Sequence, residues 1–125
     1  MEWKEKRKLI DKELKAKVVP ILKQKGFKGT YPHFRRITEK KIDILAFLFG
    51  QWGPQFYVEI AVAPSKGVTL LNRKHFPPEI VKHNHCGHRR RIGDNPFDFE
   101  NEQFDVVADK VIASSNEGEE WWIKN

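Results

Sequence analysis

From Trp3 to Lys25 the apolar positions Trp3, Ile10, Leu14, Val18, Ile21 and Leu22 fall on one stripe of about 120° at helical spacing. The remaining positions are mostly lysine and glutamate, with Glu2–Lys6, Asp11–Lys15 and Glu13–Lys17 at the supportive i,i+4 separation. This predicts an amphipathic first helix that Gly26 ends, with Phe27 folding back onto the stripe. Pro20 cannot donate to the carbonyl of Ala16 and its ring crowds that turn, so a kink or a break is expected there.

The period then shortens to that of strands. His33–Ile37 is a short candidate, followed by the polar turn Thr38–Lys41. Ile42–Phe49 is nearly all apolar, as a central strand covered on both faces would be. After the turn Gly50-Gln51-Trp52-Gly53-Pro54, residues Phe56, Val58, Ile60 and Val62 alternate with Tyr57, Glu59 and Ala61 in a half-buried pattern. Residues 64–86 contain three prolines and little periodicity, which reads as a long irregular connection. His88–Ile92 fits a fourth strand. Phe104, Val107, Ala108, Val111 and Ile112 mark a second amphipathic helix capped by Asn101, and Glu119–Ile123 forms a short tail. The fold class expected is α+β: an N-terminal helix packed on an antiparallel β-meander of about four strands, with a C-terminal helix. No repeat or linker divides the 125 residues, so residues 1–125 read as a single domain.

Composition excludes several classes. Apolar residues at 39% and charged residues at 32% are too apolar for disorder and too charged for a membrane protein. The longest apolar run, Ile44–Phe49, has six residues, against about 20 for a spanning helix. A charged start without a signal-like stretch, and a lone cysteine, Cys86, point to a cytoplasmic location. The net charge of +6 hides a gradient: residues 1–41 sum to +9, residues 42–92 to +4 and residues 93–125 to −7. Such a gradient steers a charged partner or pairs two copies as a homodimer, unless the two ends fold together and neutralise each other.

Four groups of residues could carry chemistry. His83, His85, Cys86 and His88 are zinc-type ligands, although a second ligand pair elsewhere is missing and strand alternation would split the set. Arg89–Arg91 and the lysine-rich first helix are phosphate-binding material, with Arg90 facing away from Arg89 and Arg91. If Ile37 pairs with Ile42, Arg36 lies directly opposite Asp43. Glu59 is one strand further on, and the register across Gly50–Pro54 is open by one residue, so its face is not fixed. Arg36, Asp43 and Glu59, with Arg89 or Arg91, could line a polar cleft or, in the simpler case, form a structural charge network beneath the long loop. Finally, the four tryptophans and the arginines suit an interface core.

The ordered strings Gly26-Phe27-Lys28-Gly29, His33-Phe34-Arg35-Arg36, Ile42–Phe49, Trp52-Gly53 through Phe56–Ala61, and Cys86–Ile92 resemble a bacterial domain-of-unknown-function family, the one numbered 4304, from about Lys12 to about Phe99. The resemblance implies a bacterial cytosolic protein of one domain and carries no activity, cofactor or site residue with it. The residues themselves favour a protein-interaction module, of an accessory or immunity-like kind, with an unidentified protein partner and no coherent catalytic constellation. Nucleic-acid binding through the first helix and Arg89–Arg91 is the alternative. A hydrolase built on Asp43 and Glu59, or a zinc site, is third.

Overall fold

The computed structural model describes residues 2–51 and 53–125. Helix α1 (Trp3–Gln24) buries Ile10, Leu14, Val18 and Leu22, one residue per turn along a single line. Each contributes about 1.5–3 kcal/mol relative to exposure. Trp3 and Ile21, at the margins of the stripe, are half-buried. The expected break at Pro20 does not occur; the helix continues through it to Gln24. Both Pro20 and Ala16 lie on the solvent side, so the carbonyl that loses its donor faces water. Gly26, at φ +95°, turns the chain, and the Phe27 N–H donates to Leu22 O at 3.0 Å. Phe27 is thereby returned to the core, where its ring meets Trp122 at 5.2 Å.

A five-stranded antiparallel sheet follows, in the order β1-β2-β3-β4-β7, from β1 (Lys28–Thr30), β2 (His33–Ile37), β3 (Lys41–Phe49), β4 (Gln55–Pro64) and β7 (Arg89–Asp98). The β2–β3 register is the predicted one, with Ile37 opposite Ile42 and Arg36 opposite Asp43. Ala46 stands opposite Glu59, and Glu59 opposite Arg91. Glu59, Arg89 and Arg91 therefore share a face with Ile44 and Ala46, while Arg36, Asp43 and Leu45 occupy the other.

That division explains why β4 departs from the expected half-buried alternation. Phe56, Val58 and Ile60 join the main core beneath the helices, whereas Ala61 and Ala63 join a second cluster with Ile42, Ile44, Val81 and Cys86 on the opposite face. The second cluster exists because the connection over residues 64–86 is more ordered than its prolines suggested. It holds a two-stranded hairpin, β5 (Val68–Thr69) paired with β6 (His75–Phe76), and a 3₁₀ turn at His83–His85. Val68 and Phe76 lie against the cluster and cover part of the sheet.

β1 and the far half of β7 escaped the sequence reading. β1 is three exposed residues without an apolar pattern. In β7 the pairing jumps from Ile92–Val58 to Phe97–Phe56, so residues 93–96 bulge out opposite Tyr57 alone. Their turn-like Gly-Asp-Asn-Pro composition belongs to the bulge, not to the end of the strand. Helix α2 (Phe104–Lys124) absorbs the expected tail. Gln103, not Asn101, is its N-cap, and no side chain caps it. The Ser114–Gly118 run lies inside the helix and supplies part of its contact face: Ser114, Ser115 and Gly118 are buried. No helix among the described residues is long and apolar enough to cross a membrane.

Candidate functional site

The predicted polar cleft divides between the two faces of the sheet. On the helix side, Arg36 donates to Asp43 Oδ2 from Nε (3.0 Å) and Nη2 (2.8 Å). It also grips Glu119 of α2 through two further bonds of 2.9 and 3.0 Å and donates to Lys25 O at 3.1 Å. Its guanidinium lies 4.5 Å from the Phe27 ring centre and 5.3 Å from that of Trp122. Lys41 pairs with the second oxygen of Asp43 at 3.2 Å and caps Trp122 O. Arg36 thus ties β2 to β3, to α2 and to Lys25 at the end of α1. This network lies on the helix side and does not include Glu59, so it differs from a network beneath the long loop. The places of Glu119 and Trp122 in the network depend on α2 extending past Gly118, which the sequence pattern does not show.

On the other face, Glu59 is 7% exposed. It forms the floor of an open depression of about 490 Å³ lined also by Leu48, His83, Arg89, Arg90 and Arg91. Three cationic or basic groups approach its carboxylate without reaching hydrogen-bond geometry. They are Arg89 Nε at 3.4 Å, His83 Nδ1 at 3.5 Å and Arg91 Nε at 3.9 Å. His83 Nδ1 is buried with no hydrogen-bond partner. Arg91 is stacked 3.9 Å from the Tyr57 ring centre. Arg90, as alternation requires, faces away and meets Glu117 of α2 at 3.4 Å. His83 had been grouped with the metal ligands; its place beside Glu59 follows only from the turn after the hairpin.

The surroundings of this depression are cationic. His33 lies parallel to His83, 6.1 Å between ring centres. Burial first, then Lys82, His83 and Arg35, hold the His33 pKa below its usual value. His85 is shifted the same way by burial, Lys82, Lys74 and His83.

The four zinc-type residues have separate engagements. His83 faces Glu59. His85 accepts from the Lys82 N–H at 3.0 Å and stacks on Phe76. The Cys86 thiol is buried against Lys82 O, and burial, with Glu59 adding to it against Arg89, pushes its pKa up to about 11. His88 bonds Asn125 and lies on Trp121, 5.0 Å between ring centres. Among the described residues no three His, Cys, Asp or Glu side chains stand close enough to hold a metal together.

Of the tryptophans, Trp122 is a core residue whose Nε1–H donates to Ala61 O at 3.0 Å. Trp3 and Trp121 are half-buried, and Trp52 lies outside the described residues.

The arrangement defines a small α+β domain with two helices on one sheet face and a hairpin over part of the other. Residues 18–125 match the model of one family, and the chain belongs to it: Domain of unknown function (DUF4304). The match takes in α2, beyond the strings that carried the resemblance. No curated protein and no solved structure matches the chain.

Proposed function

We propose that the protein is a cytoplasmic interaction module of bacterial type, accessory or immunity-like, that docks an acidic protein surface with the tip of its β5–β6 hairpin. The observation that carries this reading is Leu71, which is completely exposed at that tip. Burying this leucine against a partner would gain about 1.5–3 kcal/mol. The tip is held, not loose. Leu70 N–H donates to Lys74 O at 2.9 Å, and Thr69 Oγ1 bonds His75 Nδ1 at 2.8 Å. At the base, Val68 and Phe76 pack on the second core cluster. An apolar anchor on a rigid support is what an interface hot spot requires.

The partner's chemistry follows from charge. Residues 64–88 carry Lys66, Arg73, Lys74 and Lys82 against Glu79 alone, so Leu71 is flanked by cations and fits an apolar pocket rimmed by carboxylates. Tagged wild-type protein purified from its native cells should retain a stoichiometric protein, and Leu71→Ser should lower that retention at least tenfold. Equal retention by the variant, or no retained protein with either, contradicts the proposal.

A second reading, nucleic-acid binding, has one specific support. The Arg91–Tyr57 stack on the open part of the sheet resembles the aromatic and arginine platforms on which bases stack.

A further inference from the structure

The depression over Glu59 has no part in hairpin docking, and its charges do not balance. Arg89 and Arg91 alternate along β7 on one sheet face, so their guanidinium groups emerge side by side. One carboxylate, Glu59, lies between them, and the His83 ring also stands beside its oxygens. Both arginines approach Glu59 through Nε. Each side chain is 44% exposed, and neither donates a hydrogen bond to another described residue. Two guanidinium forks with unused donors, fixed from below by a buried carboxylate and, for Arg91, from the side by Tyr57, are arranged to receive an anion.

We infer that the depression lined by Glu59, His83, Arg89 and Arg91 is a binding site for a phosphate-type oxyanion, either free phosphate or the phosphate group of a small monoester. A tetrahedral anion accepts from several donors at once, which suits two adjacent forks better than a planar carboxylate does. It also offsets the positive charge that Glu59 leaves uncompensated. His83 Nδ1, buried and unpartnered beside the carboxylate, adds an unused polar atom to the lining. The pocket's volume of about 490 Å³ leaves room beyond the anion for a small organic substituent.

The test is an amide-resolved NMR titration of the whole chain, at constant ionic strength, with inorganic phosphate, glycerol phosphate, acetate and a short oligonucleotide in separate arms. Saturable shifts at Leu48, Glu59, His83 and Arg89–Arg91 are expected with phosphate or with glycerol phosphate. The tighter of these two arms identifies the source. Arg89→Gln and Arg91→Gln, at half-exposed positions, should each weaken binding at least tenfold while leaving the remaining amide spectrum in place. Acetate should bind at least tenfold more weakly. The inference is overturned if shifts do not saturate or centre on the lysines of α1. It is equally overturned if both variants bind as wild type does, if acetate equals phosphate, or if only the oligonucleotide binds. Because Leu71 is absent from the site, Leu71→Ser should leave the titration unchanged, so failure here is separable from failure of the docking proposal.

Discussion

Arg36 illustrates how one side chain can look functional in sequence and prove structural in space. Its cross-strand partner Asp43 was legible because the Thr38–Lys41 turn sets the β2–β3 register, and a correct register aligns the whole pair of strands. Its other partners were not legible, since Glu119 and Lys25 lie 83 and 11 residues away. Asp43 is nearly fully buried, so replacing Arg36 strands a charge that Lys41 alone must balance. Breaking such a buried pair costs about 3–5 kcal/mol. Arg36→Met should therefore lower unfolding stability by about that amount in urea titrations, and Arg36→Met with Asp43→Asn should recover part of it. A loss under about 1 kcal/mol, the scale of a surface pair, would mean that the guanidinium does not hold the four elements together.

At the level of elements, propensity misled wherever a segment's composition served close approach. Ser114, Ser115 and Gly118 are poor helix formers, yet they are the residues that let α2 lie close to β7. Both serine hydroxyls bond back into the helix, to Val111 O at 2.7 Å and Ile112 O at 2.6 Å, which satisfies them where they are buried. A Cβ at Gly118 would stand 3.3 Å from the Trp122 ring and 3.4 Å from Ile92 Cδ1. Gly118→Ala trades that tight contact for better helix propensity and should be close to neutral. Gly118→Leu must displace Trp122 or Ile92 and should cost about 1–3 kcal/mol. Urea midpoints for the two variants check this, and equal stability would show that α2 sits farther from the sheet. The hairpin was hidden for a different reason. Its strands are two residues each, too short for a period, and what holds them is burial of Val68 and Phe76 against distant residues.

Across the whole molecule, folding brings the basic start and the acidic end of the charge gradient together. α1 and α2 lie side by side, and Lys6–Glu100 (3.3 Å), Lys17–Asp109 (3.9 Å) and Arg36–Glu119 (2.9 Å) join the basic start to the acidic end. The gradient and Trp122, both features that pointed to a partner, are accounted for within the chain. What stays unspent is on the other sheet face, where the hairpin presents Leu71 among cations and the arginines over Glu59 keep free donors. The fold class, the β2–β3 register and the end of α1 were readable because each depends on local pattern. The two faces of the site were not, because the face of Glu59 depends on the β3–β4 register across the Gly50–Pro54 turn, and the partners on each face come from the segment after the hairpin and from the extension of α2.

The measurement that bears most directly on the docking claim is photo-cross-linking in the native cell, with the reactive group at position 71 and, as a control, at Lys12 on the outer face of α1. The account predicts a discrete protein adduct from position 71, mapped to a segment of the partner with apolar residues among aspartates and glutamates, and none from position 12. Adducts from position 12 alone, or an adduct from 71 mapped to a basic segment, would contradict it.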